Sequence, residues 1–157
     1  HPELPIIDIR VFNYFSRTQD ISARFLITDI LRAIRDRVVL KTSPDYIVRD
    51  FLHPSDFYRL ISALLSAPAA NAAVDCYSLA AIDKPNIFAA MQEKFSLRYE
   101  ITEANTRVNA TGSKPHYYSL NTRAAEFGYQ PALTSLEGIL KEATAILQQQ
   151  TSRAGSS

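Results

Sequence analysis

Ile6-Ile7-Asp8-Ile9-Arg10-Val11-Phe12-Asn13-Tyr14 is rich in β-branched and aromatic residues and is bounded upstream by Pro5. It reads as a strand, and its near-continuous apolar character predicts burial on both faces, as in a parallel sheet. The segments after it alternate. Ser22 offers an N-cap for a helix through about Arg35, with Leu26, Ile27, Ile30, Leu31 and Ile34 in one stripe. Val38-Val39-Leu40 reads as a short strand, followed by a Ser43-Pro44-Asp45 turn. Tyr46 to Leu52 is a further strand. Pro54 then opens a helix to Ser66 whose inward residues are Phe57, Leu60, Ile61, Leu64 and Leu65.

Beyond an Ala-rich connection, Val74 to Leu79 reads as a strand. Asp83 caps a helix with Pro85 in its first turn and Ile87, Phe88, Met91 and Phe95 facing inward. Leu97 to Ile101 alternates as a strand does, Thr102 to Pro115 is a long polar loop, and Tyr117 to Leu120 is a brief strand. A short helix over Thr122 to Phe127 ends at Gly128. Thr134 and Glu137 form a capping box for a last helix, and a polar tail from Gln148 is expected to fray. This order of strands and helices predicts an α/β fold, not a helix bundle or a β-sandwich.

The remaining composition narrows the function. The chain has 157 residues, 46% hydrophobic and 21% charged, which suits one globular domain. Its net charge of +1 argues against a non-specific nucleic-acid binder. No apolar run is long enough to span a bilayer and no targeting signal is recognisable, so no membrane partner is expected. A single cysteine, Cys76, excludes an internal disulfide and a multi-cysteine zinc cage; the expected setting is a reducing cytoplasm. The glycines stand at 112, 128, 138 and 155, too far apart for G-x-G-x-x-G or a Walker loop. His1-Pro2-Glu3-Leu4-Pro5 carries no initiator Met and runs straight into an apolar segment, so the expectation is a piece of a longer protein.

Three strings carry a resemblance. Arg10-Val11-Phe12-Asn13-Tyr14-Phe15 resembles an R-x-F-N-x-x-G-P segment, and Arg49-Asp50-Phe51-Leu52-His53-Pro54-Ser55-Asp56 resembles R-D-[FY]-[IVL]-H-V-x-D. Phe127-Gly128-Tyr129-Gln130-Pro131 with Leu136-Glu137-Gly138-Ile139 resembles L-G-[WY]-x-P…L-x-E-G-[IL]. Their order and spacing over residues 6 to 147 are similar to the C-terminal portion of the extended short-chain dehydrogenase/reductases, the NAD-dependent nucleotide-sugar epimerases and dehydratases. The resemblance implies a Rossmann-type α/β fold: residues 1–15 and 72–96 would give the last elements of the nucleotide-binding sheet. Residues 16–71 and 97–147 would form a small substrate lobe, with 148–157 a flexible tail.

The family's glycine-rich cofactor loop and Tyr-x-x-x-Lys pair lie upstream of the R-x-F-N strand. No tyrosine here has Lys four residues later. The resemblance therefore implies NAD or NADP in the parent enzyme, no tight cofactor binding by this piece, no catalytic residue in it, and no hydride transfer by it alone. Two departures stand out. Phe15-Ser16 replaces the expected G-P, and Ala80-Ala81 replaces a glycine after the Val74–Leu79 strand; both put the shape of the sugar pocket in question.

Arg49 is the leading substrate-binding candidate. Strand alternation sets Ile47, Arg49 and Phe51 on one face and Val48, Asp50 and Leu52 on the other. A guanidinium on an apolar strand must meet an anion or water, because burying it unpaired is costly. The family uses this residue to hold a diphosphate; a structural ion pair with Asp56 or Glu100 is the alternative. Asn13 either hydrogen-bonds a sugar or phosphate or satisfies a turn. His53 either touches substrate or packs at a strand–helix junction, and His1 and His116 give it no metal-ligand spacing. Phe25 and Leu26 correspond to family residues over the nucleotide base and ribose, with core packing the alternative. Lys114, His116 and Tyr118 follow the loop as a basic and aromatic cluster suited to closing over a nucleotide, or to solvent.

Two functions compete. One is the nucleotide-sugar-binding portion of an epimerase or dehydratase, partnered by the missing N-terminal half. The other is a non-catalytic binding or interaction module derived from the same fold. An unrelated small α/β protein would require three ordered matches by chance. Strands stripped of their neighbours expose apolar edges, so self-association is expected in either case.

Overall fold

A computed structural model describes residues 4–103 and 114–154. In chain order the elements are β1 (Ile7–Arg10), β2 (Asn13–Tyr14), α1 (Leu26–Asp36), β3 (Leu40–Thr42), β4 (Val48–Arg49), β5 (Phe51–Leu52) and α2 (Pro54–Ser66). Then come β6 (Ala72–Asp75), β7 (Ile82–Asp83), α3 (Lys84–Phe95), β8 (Tyr99–Ile101), β9 (His116–Tyr117), a 3-10 turn (Arg123–Phe127) and α4 (Ser135–Ala154). The alternation is that of an α/β fold, and its ladders include short parallel ones. Most of the expected loop lies at 104–113, outside the described residues.

The chain forms two compact units. The first comprises residues 1–16, 49–82 and 117–139. In it β1 runs parallel to β6, from Ile7 opposite Ala72 to Arg10 opposite Asp75, and β2 runs parallel to β5. Its core is Leu52, Leu60, Leu64, Val74, Cys76, Ala124 and Tyr129. The second comprises residues 17–48, 83–116 and 140–157. Here β3 pairs in parallel with β8, and Ile27, Ile30 and Leu31 of α1 and Ile87, Phe88 and Met91 of α3 are buried.

Several elements start or stop elsewhere than the sequence suggests. The stretch 6–14 is two strands, because residues 7–10 pair with β6 whereas 13–14 pair with β5. Nor is it buried on both faces: Ile7 and Ile9 are half-buried while Asp8 and Arg10 are exposed. Ser22 does not cap α1. The Asp20 carboxylate accepts its N–H at 2.9 Å and its hydroxyl at 2.8 Å, closing a local turn, and α1 begins three residues after Ala23. There Thr28 Oγ1 accepts the Phe25 N–H at 3.1 Å. Val38 and Val39 are exposed, and β3 starts at Leu40.

The 46–52 strand is broken at Asp50, and the strand expected at 74–79 ends at Asp75. In α2, Leu60 and Leu64 are buried but Leu65 is 82% exposed. α4 continues past Leu147 to Ala154. The start of α2 at Pro54, the Asp83 cap of α3 and the left-handed Gly128 (φ 86°) fall where the sequence puts them. So does the Thr134–Glu137 box, in which each residue's side chain accepts the other's backbone N–H, at 2.8 and 3.2 Å.

Candidate functional site

The first unit brings Arg49 and Asn13 together around Tyr117. The Arg49 guanidinium stands 5.9 Å from the centre of the Tyr117 ring, which meets Phe12 edge-on at 5.4 Å. A guanidinium over an aromatic face is attracted by the ring quadrupole. Asn13 donates from Nδ2 to the Tyr117 carbonyl at 3.4 Å. Arg49 is half-buried, and that burial lowers the pKa of its guanidinium, with Tyr117 acting in the opposite sense. An arginine does not lose its proton at working pH. Desolvation therefore leaves a fixed positive charge in a weakened dielectric, which strengthens its attraction for an anion.

Arg49 sits on a backbone tied down from within. The next residue, Asp50, turns its carboxylate inward and is 7% exposed. It accepts the Ser78 N–H at 3.0 Å and the Ser135 hydroxyl at 2.8 Å. Ser135 Oγ in turn accepts the Phe51 N–H at 2.8 Å, a donor that the interrupted ladder leaves over. Asp56 is fully buried and accepts the N–H groups of Ala132 and Leu133 at 2.9 and 3.0 Å, with Arg59 Nε at 3.8 Å. The segment 49–56 is thereby laced to the segment 132–138.

His53 is the N-cap of α2. Its Nδ1 accepts the Ser55 N–H at 3.1 Å, and the ring is buried against Gly138. That is the strand–helix junction its sequence position suggested. Tyr118 is half-buried; the ring beneath Arg49 belongs to the preceding residue, Tyr117. Phe25 and Leu26 lie in the second unit, Phe25 exposed just ahead of α1 and Leu26 half-buried as its first residue. Lys114 and His116 are exposed. Sequence reasoning did not single out Tyr117, Asp50 or Ser135. The inward phase of Asp50 was available from strand alternation, but its partners were not.

At the carboxyl ends of β1 and β6, Arg10 pairs with Asp75 at 2.6 Å, and the Ser119 hydroxyl donates to the same carboxylate. Cys76 beside it is buried, and burial together with Asp75 and Asp50 pushes its thiol up to about 11. In the second unit Arg17 forks onto the buried Glu142, Nε to Oε2 at 3.0 Å and a terminal nitrogen to Oε1 at 2.8 Å, which raises the arginine's pKa further. That unit also holds a cavity of about 120 Å³ walled by Tyr46, Phe88 and Tyr99. Lys84 borders it, spends its amine on the Ser43 carbonyl at 2.6 Å, and has its pKa lowered by burial.

No protein-family model and no curated protein matches the sequence. Solved structures do match. MoeE5 in complex with UDP-glucose and NAD is 18% identical, over 95% of this chain and 48% of that one, with a TM-score of 0.72. UDP-glucuronic acid 4-epimerase from Bacillus cereus, in complex with UDP-glucuronic acid and NAD, is 14% identical over 93% of this chain and 46% of that one, at 0.74. The fold is that of the extended short-chain dehydrogenase/reductases. RMD from Pseudomonas aeruginosa, complexed with NADPH, is 18% identical over 93% of this chain and 48% of that one, again at 0.74. This chain thus spans about half the length of the short-chain dehydrogenase/reductase structures it matches, in keeping with the C-terminal portion that the three motifs resemble.

The residues described here do not fit the nicotinamide cofactor of that fold. Neither β1 nor β6 is followed by a glycine, and Arg10 and Asp75 at their ends are closed on each other. A pyrophosphate cradle needs close backbone approach and free N–H groups at a helix start.

Proposed function

We propose that this chain binds the nucleotide-sugar substrate within an NAD- or NADP-dependent epimerase or dehydratase, and that Arg49 grips the diphosphate. The observation carrying this reading is the partly desolvated Arg49 guanidinium set over Tyr117 beside Asn13. An arginine held in one place offers a planar fork to phosphate oxygens, and its ordering entropy is lost before the anion arrives. His53, Phe25, Leu26 and Tyr118 would add further substrate contacts. The rest of the enzyme would supply the cofactor and the proton-transferring tyrosine, so the chain alone would be inactive. On this reading residues 1–15 and 72–96 belong to the nucleotide-binding sheet, 16–71 and 97–147 to the substrate lobe, and the protein works in the cytoplasm.

The second reading is a non-catalytic binding module of the same fold. It is favoured by Phe15 and Ser16, buried where the family's G-P would stand, with the Phe15 N–H on the Leu52 carbonyl at 3.3 Å. UDP-glucose titrated by calorimetry tests the proposal. Arg49→Ala should weaken binding about tenfold or more, as loss of a charge-assisted contact does. Equal affinity in both proteins would remove the diphosphate grip.

A further inference from the structure

We infer that Ser135, acting with Asp50, is a positioning residue for the anion grip of Arg49; the inference rests on the diphosphate reading above. Arg49 ends β4 and Phe51 begins β5, and the residue between them belongs to neither strand. The pairing is therefore interrupted at Asp50, although Phe51 itself pairs with Asn13. Side chains bridge the break. Ser135 Oγ accepts the Phe51 N–H at 2.8 Å and donates its one proton to Asp50 Oδ1 at 2.8 Å, while Asp50 Oδ2 accepts the Ser78 N–H at 3.0 Å.

A serine hydroxyl has one hydrogen and two lone pairs, and a carboxylate only accepts, so Ser135 is the donor in its bond to Asp50. Ser78 Oγ donates to the Ala80 carbonyl at 3.0 Å and stands 3.2 Å from Ser135 Oγ. Ser135 is fully buried and is the first residue of α4. Its own N–H is already taken by the Ala80 carbonyl at 3.0 Å, so the helix start and the Arg49 strand are clamped to one loop, 78–80.

The consequence is directional. A guanidinium at the end of a four-bond side chain reaches a phosphate in one orientation only if its Cα–Cβ vector is fixed, and misplacement by about 1 Å costs such contacts heavily. Ser135, fully buried, fixes the amide two residues from Arg49 from within the core. Its loss should be felt by the phosphate-binding part of the affinity and not by the nucleoside part.

The test titrates UDP and uridine into the full chain carrying Ser135→Ala, Ser135→Cys, Arg49→Ala and the Arg49→Ala/Ser135→Ala pair. Ser135→Ala should weaken UDP about fivefold and leave uridine within twofold. In the Arg49→Ala background the same change should have no effect on UDP. Ser135→Cys keeps the shape but has a weak donor; it should lie between serine and alanine, and it serves if the alanine variant does not fold. Equal losses for UDP and uridine, or a Ser135 effect that persists without Arg49, would overturn the positioning role and leave the Arg49 grip standing. If Arg49→Ala itself leaves UDP affinity unchanged, the grip fails and this inference falls with it.

Discussion

Gly138 lies against His53: a Cβ built on it would stand 3.1 Å from His53 Cβ, tighter than van der Waals contact allows without movement. His53 cannot retreat cheaply, because its Nδ1 holds the Ser55 N–H at the start of α2. Gly138→Ala is therefore expected to destabilise the fold by about 1–3 kcal/mol, the usual cost of overpacking. Denaturant unfolding measures it. His53→Gly, which removes that Cβ, should recover part of the loss in the same chain, and strict additivity of the two changes would remove the contact as its cause.

Asp56 satisfies two backbone donors, the N–H groups of Ala132 and Leu133. Asp56→Ala leaves both unpartnered in a part-buried place and should cost about 1–3 kcal/mol. Asp56→Asn keeps one acceptor and should cost less. A drop below about 1 kcal/mol for the alanine variant, read from the denaturation midpoint, would contradict this.

Cys76 should be chemically silent in the native state. Its thiol ionises only near about 11, against 9.0 for a free thiol, so at pH 8 the reactive thiolate is scarce as well as buried. Labelling by a disulfide reagent should follow unfolding and not precede it. The sign for stability is also fixed. As pH rises from 9.0 towards about 11 the unfolded thiol loses its proton before the folded one does, so the native state loses stability across that interval. Fast stoichiometric labelling of native protein would refute the assignment.

An apolar groove of about 410 Å³ runs beside β1 and α2 in the first unit, lined by Ile7, Ile9, Ile61, Leu64 and Leu65 among others. Leu65 is 82% exposed, and Leu4 and Ile6 are exposed with it. Such a surface recruits other chains. Sedimentation should show association that rises with concentration, and Leu65→Asp should shift it towards monomer. A monomer at millimolar concentration without that substitution would count against the expectation.

The α/β class, the starts of α2 and α3, the Gly128 turn and the Thr134–Glu137 box were legible because each is written in neighbouring residues: a Pro at a first turn, an acid at an N-cap, a glycine where φ is positive. The strand at 6–14 was misjudged because one apolar run serves two partners, and periodicity does not say where a chain changes neighbours. Ser22 looked like a cap and instead folds back on Asp20, a competition between equally short-range hydrogen bonds. The motifs single out Arg49 and Asn13 as candidates. That both meet Tyr117 was not legible, because the meeting is a matter of tertiary placement. Nor could a reader of the sequence see that Asp50 and Ser135 are partners, since 85 positions separate them.

That separation bears on how the molecule comes into being. The bonds from Asp56 to Ala132 and from Asp50 to Ser135 span 76 and 85 residues, so a nascent chain leaving the ribosome carries the arginine strand long before its anchor exists. Contacts so distant along the chain close late and slowly. Until the first turn of the last helix has emerged, Asp56 waits without its two backbone donors and Asp50 without the Ser135 hydroxyl, and in that interval the unfinished protein is most exposed to chaperones and proteases.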